Sequence, residues 1–167
     1  MHELRRIARS RVWRGLIGSV CALVLALALV PPMPTSAAGT SGRWIDVNLS
    51  TQTLVAYSGS TPVRYIPVST GAPGWDTPTG SFRILRRVYN ETMDSGSFGE
   101  PGLYHVSNVW FTQYITDGGV ALHDNWWSPR WVFGRQPNSH GCIGMQHADA
   151  AFLWSWASIG TPVYVHY

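Results

Sequence analysis

Short apolar segments separated by turns run through most of this sequence, and they constrain the fold more than any other feature. Residues 44–49 alternate apolar and polar side chains, and residues 53–57 follow after a polar turn, which predicts a β-hairpin. Only residues 147–158 have apolar side chains at helical spacing, before a stop at Gly160. The sequence therefore predicts a mainly β domain, a sandwich or an open barrel, with one helix near its C-terminus. Further strands are predicted at 63–69, 81–89, 109–115, 119–123 and 163–167, and the predicted apolar helix positions are Ala148, Ala151, Phe152 and Trp156.

Three stretches lack these patterns and are predicted to be loops. Residues 71–80 are rich in glycine and proline. Residues 90–102 carry glycine, serine and acids with little apolar content, so we expect an exposed loop there. Residues 124–141 form a long loop that contains Trp126, Trp127 and Trp131. These three indoles are either core residues or a lid that faces a substrate, and the sequence favours neither reading.

The N-terminal 38 residues have the layout of an export signal. Five arginines precede an uncharged apolar run at 15–30, and prolines and then small residues follow it. The run is short for a membrane span, so cleavage is favoured over a retained anchor, which would tether the protein to the membrane. We therefore expect a signal peptide or anchor at 1–38, a linker at 39–43 and an exported domain at 44–167.

The basic charge of the chain belongs to that N-terminal segment. The whole chain has a formal net charge of +3, but residues 39–167 hold seven basic and eight acidic residues and no lysine. A domain without a basic patch cannot neutralise nucleic-acid phosphates, so we do not expect this protein to bind nucleic acid.

The exported part has a single cysteine, Cys142, because Cys21 lies inside the apolar run. One thiol cannot form an internal disulfide, which leaves an inert buried thiol, an intermolecular bridge or a reactive group. A nearby imidazole can accept the thiol proton and create a thiolate nucleophile. His123, at the end of a predicted strand, and His140, two residues before the cysteine, are the two candidate bases.

The sequence Ser139-His140-Gly141-Cys142 also places a glycine beside the candidate nucleophile. Glycine lets a substrate carbonyl approach the backbone, so the N–H groups of residues 140–142 are candidates for an oxyanion hole. One such donor typically lowers a barrier by about 3 kcal/mol.

His123 followed at this distance by Ser139-His140-Gly141-Cys142 resembles the signature of the L,D-transpeptidase (YkuD-type) family. The opening hairpin, the segments Val68-Ser69-Thr70-Gly71 and Thr77-Pro78-Thr79-Gly80, and the C-terminal helix before Gly160-Thr161-Pro162-Val163 match other motifs of that family. The resemblance implies the mixed β-sandwich or open barrel of that family for residues 44–167.

The resemblance also implies roles for individual residues. Cys142 would attack the carbonyl between residues three and four of a peptidoglycan stem peptide, and His123 would move the protons. Asp124 would orient His123 through its backbone carbonyl, while His140, Gly141 and Cys142 would surround the oxyanion with Ser139 in support. D-Alanine would leave, and an amine of a second stem peptide would resolve the thioester as a 3→3 cross-link at the cell wall. No metal or cofactor is implied, and carbapenems are expected to acylate the cysteine.

Two positions depart from the family pattern. Gly144 stands where many members have Arg or Asn, and Asp124 replaces the glycine common after the first histidine. Both substitutions leave the chemistry intact and bear on which acceptor is used.

Three alternatives remain at this stage. A zinc site could use His123, His140, Cys142 and His147, although the His-x-Cys spacing does not fit the usual ligand pattern. Water could resolve the same thioester, which would make the protein an L,D-carboxypeptidase or endopeptidase. The domain could also be a non-catalytic module that binds the wall.

Overall fold

A computed structural model describes residues 42–167 of the chain, except for the side chain of Phe98. The predicted export segment at 1–38 lies outside these residues. The first strand begins at Arg43, inside the expected linker. Within residues 42–167 no helix has the length and apolarity needed to cross a bilayer.

The described residues form one mixed sheet of nine strands with a single α-helix. The strand order is β4-β9-β1-β2-β3-β8-β7-β6-β5, and neighbours are antiparallel except for the parallel pairs β1–β9 and β7–β8. The expectation of a mainly β domain with one C-terminal helix is confirmed. The elements are β1 Arg43–Asn48, β2 Thr53–Ser58, β3 Thr61–Ser69, β4 Gly80–Arg83, β5 Arg86–Asp94, β6 His105–Tyr114, β7 Ala121–Asp124, β8 Ile143–Met145, α1 His147–Trp156 and β9 Pro162–His166.

The sheet is curled, because its two edge strands are consecutive in the chain. β4 and β5 lie at opposite ends of the strand order, yet only Ile84 and Leu85 join them. The Ile84 N–H donates to the Thr161 carbonyl at 3.0 Å, and the Leu85 N–H donates to the Tyr114 carbonyl at 2.8 Å. The link thus bonds to both ends of the sheet, which closes it into a half-barrel. The single strand predicted at 81–89 is wrong for this reason.

The core fills the inside of the curl and is covered by α1. Ala150 and Leu153 are the buried residues of the helix, at 1% and 0% exposure. The apolar face predicted for the helix is confirmed in part: Ala148 is exposed, whereas the other three positions are partly buried and pack against the core. The largest fully buried apolar side chains are Ile45, Val47, Leu54, Ile66, Val68, Ile84, Val109, Leu122, Ile143, Met145 and Leu153.

The region predicted as an exposed loop at 90–102 is partly strand. β5 continues to Asp94 because it pairs with the first half of β6, and a 3₁₀ turn at Ser95–Phe98 follows. Apart from Met93, the side chains at 90–94 are polar, so no local pattern reveals the strand. The pairing matters for function, since Met93 and Tyr104 line the cavity described below.

Gln52 joins the first hairpin to the end of β3. Its Nε2 donates to the Leu49 carbonyl and to Thr70 Oγ1, both at 2.7 Å, and its Oε1 accepts from the Thr70 N–H at 2.9 Å. The residue is 4% exposed and has φ of 53°. Its amide is therefore the buried connection that holds the start of the 70–77 segment.

We expect Gln52→Ala to lower the free energy of unfolding by about 2–4 kcal/mol, because it leaves the Thr70 N–H and the Leu49 carbonyl buried without partners. Urea denaturation measures the change. Thr51→Ala, at an exposed position of the same turn, is the matched control and should be within about 0.5 kcal/mol of the wild type. Equal stability of the two variants would contradict the role of the Gln52 amide.

Candidate active site

Cys142 and His123 are brought together by the parallel pairing of β7 and β8. His123 lies opposite Gly144, and Leu122 lies opposite Ile143, so Cys142 precedes β8 at the level of Ala121. Since side chains alternate across a strand, Cys142 and His123 face the same side of the sheet. Both line a cavity of about 260 Å³. The other lining residues are Met93, Tyr104, Val106, Asn125, Trp127, Ser128, Pro129, Asn138, Ser139 and His140.

The His123 imidazole is held in one orientation. Its Nδ1 lies 2.7 Å from the backbone carbonyl oxygen of Asp124. A carbonyl only accepts, so Nδ1 carries the proton, and the neutral ring keeps Nε2 as an acceptor. The ring is buried, with the residue 3% exposed, and this burial lowers the pKa of His123. The Asp124 carbonyl and carboxylate oppose that shift without reversing it.

Trp127 covers this imidazole. Its ring stacks on that of His123 at a centroid distance of 5.6 Å and an interplanar angle of 12°. Trp127 is 39% exposed, so one face of the indole contacts the imidazole while the other meets solvent and the cavity.

The Cys142 thiol is neutral at rest. Burial raises its pKa to about 11, opposed by the Ala121 backbone N–H and assisted by the negative charge of Glu91. Cys142 Sγ lies 3.6 Å from the Gly119 carbonyl, a contact that suits a thiol donor rather than a thiolate. The thiol and the imidazole thus line one cavity, and both are assigned as neutral.

The residues before Cys142 form an irregular loop, as the sequence predicts for 124–141. Gly141 has φ of +109°, which only glycine adopts without strain. Ser139 Oγ accepts from the Gly141 N–H at 3.2 Å and donates to the Cys142 carbonyl at 2.6 Å. His140 packs against aromatic rings of Trp75 and Tyr104, at centroid distances of 5.0 and 5.1 Å. Ser139 therefore acts on the loop backbone, and its bond occupies one of the three candidate oxyanion donors.

Thr77 is a supporting residue that the sequence reading left as part of a turn. Its hydroxyl accepts from the Gly71 N–H at 2.9 Å and donates to the Gly141 carbonyl at 2.8 Å, and the residue is 3% exposed. The Thr70 carbonyl accepts from the N–H groups of Asn138 and Ser139 at 2.9 and 3.0 Å. The segment at 70–77 thus clamps the nucleophile loop. The motif Thr77-Pro78-Thr79-Gly80 was the feature of the sequence that could have identified this residue.

Asn125 also escaped the sequence reading, and it explains Gly144. A Cβ at Gly144 would lie 2.6 Å from Asn125 Nδ2 and 2.8 Å from its Cβ. The Asn125 side chain is therefore packed where a side chain at 144 would stand. Asn125 is 2% exposed and lines the cavity.

The three loop tryptophans are not core residues, so that reading is wrong. Trp126 and Trp131 are 57% and 60% exposed. Trp127 is the one of the three that lines the cavity, whereas Trp126 packs edge-on against Trp127 and lines a separate groove.

The four side chains considered for zinc do not converge. His147 Nδ1 lies 2.8 Å from Asp124 Oδ2. Asp124 and His123 are neighbours on β7, so their side chains face opposite sides of the sheet, and His147 lies on the side away from His123. Among residues 42–167 no three His, Cys, Asp or Glu side chains form a potential ligand set.

We expect the rate of Cys142 alkylation by iodoacetamide to rise with pH around a midpoint near 11, because the pKa of the buried thiol is raised to about that value. Measured rates from pH 6 to 12, with Cys142→Ala as the blank, give the midpoint. A midpoint below 8 would show a resting thiolate–imidazolium pair and contradict the neutral assignment.

Comparison with known proteins places this site in a family. A family model described as the L,D-transpeptidase catalytic domain matches residues 42–165. Probable L,D-transpeptidase 3 of Mycobacterium tuberculosis is 35% identical over 104 residues, which are 60% of this chain and 38% of that protein. L,D-transpeptidase 1 of the same species is 28% identical over 121 residues, 71% of this chain and 48% of that protein. This chain thus spans less than half the length of these relatives.

Solved structures show the same similarity. An L,D-transpeptidase from Mycobacterium smegmatis superposes with a TM-score of 0.69 at 28% identity, over 75% of this chain and 58% of that one. The structure of the L,D-transpeptidase LdtMt1 in complex with imipenem gives a TM-score of 0.72 at 27% identity, over 75% and 59% of the two chains. The family match, the relatives and the fold agree, and the chain belongs to the L,D-transpeptidase catalytic domain family.

Proposed function

We propose that this protein is an exported cell-wall L,D-transpeptidase that uses Cys142 as nucleophile and His123 as general base. The observation that carries the proposal is the convergence of the only thiol in the described residues with a histidine whose Nε2 is left as the acceptor. Membership of the family supports the reaction class, and the imipenem complex of a related structure supports acylation by carbapenems here.

In the first half-reaction the thiol proton passes to His123 Nε2 as Sγ attacks the donor carbonyl between stem residues three and four. The new C–S bond creates a tetrahedral oxyanion, which backbone N–H groups beside Cys142 stabilise. The C–N bond then breaks, and the imidazolium returns its proton to the departing amine of D-alanine. The product is a thioester on Cys142.

In the second half-reaction an amine of another stem peptide attacks the thioester and gives its proton to His123. The C–S bond breaks, the sulfur recovers a proton from the imidazolium, and a 3→3 cross-link is released. Burial disfavours the imidazolium, so His123 returns the proton readily in each half-reaction. The Asp124 carbonyl keeps Nε2 directed at the reacting atoms throughout.

The N-terminal arginines and apolar run support delivery across the membrane, to where the wall is assembled. The domain at 44–167 then works on stem peptides outside the membrane. Ser139 and Thr77 hold the loop, and the N–H groups of His140 and Cys142 are the proposed oxyanion donors, since the Gly141 N–H is bonded to Ser139.

We expect incubation with a muropeptide that carries a tetrapeptide stem to add the mass of the donor minus D-alanine to the intact protein. Cys142→Ala has no nucleophile and His123→Ala has no base, so we expect both to lower the acylation rate by at least about 1,000-fold. His166→Ala is the matched control, because that histidine is exposed and bonds Asp46 on β1. Intact-protein mass spectrometry and D-alanine release measure both products.

The absence of both adduct and D-alanine in the wild type would contradict the proposal and favour a wall-binding module. Addition of an amine acceptor separates transfer from hydrolysis. Cross-linked product that replaces free acid indicates transfer, whereas free acid alone indicates a carboxypeptidase or endopeptidase.

We also propose that Trp127 is the lid residue of the donor site, on the basis of its place between His123 and the cavity. We expect Trp127→Ala to raise KM several-fold, with a smaller fall in kcat, because the indole both contacts substrate and keeps water from His123. Trp131→Ala, at an exposed indole outside the cavity lining, is the control. Steady-state kinetics with thermal melts decide the matter, since a loss of fold alone would lower Tm and leave KM unchanged.

A further inference from the structure

A second concave surface lies on the face of β7 opposite the catalytic cavity. It is an open groove of about 500 Å³. Asp124 reaches it because successive side chains alternate across the strand, so that His123 and Asp124 face opposite sides. The groove is lined by Asn108, Trp110, Asp124, Trp126 and His147.

One oxygen of the Asp124 carboxylate has no hydrogen-bond partner among the described residues. The side chain has no solvent exposure, Oδ2 accepts from His147 Nδ1 at 2.8 Å, and Oδ1 is buried without a hydrogen-bond partner. A buried carboxylate oxygen without a partner is costly. The proposed reaction uses only the backbone carbonyl of this residue, so its carboxylate is free for another role.

Among residues 42–167 the carboxylate has no arginine partner, and its bond is to His147. The chain contains no lysine, and Arg64 and Arg87 are engaged elsewhere. Arg64 Nη2 bonds Asp149 at 2.6 Å, and the Arg87 guanidinium lies over Trp154 and bonds its carbonyl. His147 stands between the carboxylate and solvent with its side chain 58% exposed, so it can turn outward to admit another donor.

The walls of the groove are indole rings. Trp126 is held in place by a bond from its Nε1 to the Asn108 carbonyl at 3.1 Å while 57% of the residue stays exposed. Trp110 packs edge-on against Tyr89 at 5.5 Å and forms the other aromatic surface. Indole faces attract cations, most strongly where solvent is partly excluded.

From these contacts we propose that the groove is a binding site for an alkylammonium group, with Asp124 as its counter-charge and Trp110 and Trp126 as its walls. The site lies on the opposite side of β7 from Cys142, so its occupant is not the amine that resolves the thioester. The ammonium donates to Asp124 Oδ1 and displaces the His147 ring toward solvent. Because the Asp124 carbonyl also holds His123, the occupant binds to the residue that orients the base.

The test is a titration of the full chain, labelled with ¹⁵N at tryptophan, with n-butylammonium chloride. We expect a saturable shift of the Trp110 and Trp126 indole N–H signals, which Trp110→Phe and Trp126→Phe assign. Neither butanol nor sodium chloride at equal concentration should reproduce it. In Asp124→Asn, which keeps the side-chain shape and loses the charge, we expect binding at least about tenfold weaker.

Two further variants keep the proposal testable if Asp124→Asn fails to fold. Trp126→Leu removes one wall, and the Trp110 signal should then report binding weakened several-fold. Trp131→Phe removes an equally exposed indole that does not line the groove, and binding should be unchanged. A parallel titration with acetyl-lysine-N-methylamide distinguishes a peptide side chain from a free small amine, according to which probe binds more tightly.

A shift that sodium chloride reproduces, the absence of a saturable shift, or undiminished binding in both Asp124→Asn and Trp126→Leu would overturn the proposal. These outcomes do not depend on acylation of Cys142, so the site can fail while the proposed transpeptidase reaction stands, and the reverse also holds.

Discussion

The parallel pairing of β7 with β8 is the contact on which the site depends. It joins two segments that are separated by a long irregular loop, and its register puts Cys142 and His123 on one face of the sheet. The pairing holds because Leu122, Ile143 and Met145 are fully buried in the core that α1 covers. Three sets of hydrogen bonds then fix the loop before Cys142. Gln52 bonds to Thr70, the Thr70 carbonyl accepts from the N–H groups of residues 138–139, and the Thr77 hydroxyl donates to the Gly141 carbonyl.

Burial favours the neutral form of both members of the proposed pair, Cys142 and His123. It raises the pKa of the Cys142 thiol and lowers that of His123, and each change favours the neutral form. In the proposed reaction the charges would arise only when substrate is present, where backbone N–H groups and the Asp124 carbonyl would stabilise them. Trp127 stacks on the imidazole.

The two departures from the family pattern are connected through β7. The side chains of Asp124 and Asn125, the two residues after His123, point to opposite sides of the sheet. Asn125 accounts for the departure at Gly144, and the contacts of Asp124 account for the departure at its own position. Asn125, which follows β7, packs over Gly144, so its amide occupies the space of the missing side chain at 144. Asp124 keeps the carbonyl that orients His123, while its carboxylate bonds His147 on the other face. A side chain at 144 would have to displace Asn125, which lines the cavity, whereas the Asp124 carboxylate is directed to the other face.

The sequence by itself determined the mainly β class and the C-terminal helix, because alternation and turn residues are local properties. The assignment of Cys142 and His123 as the reacting pair, with Asp124 and Ser139 as supporting residues, stays a prediction that rests on a single thiol in a distinctive motif. The sequence could not show that β4 and β5 are opposite edges joined by Ile84 and Leu85, nor that polar residues near 90–94 form a strand, because both follow from pairing with distant segments. The roles of Thr77 and Asn125, the exposure of the three loop tryptophans and the neutral resting state were likewise decided by the tertiary structure. Each depends on which groups the curled sheet brings into contact and on how much water it excludes from them.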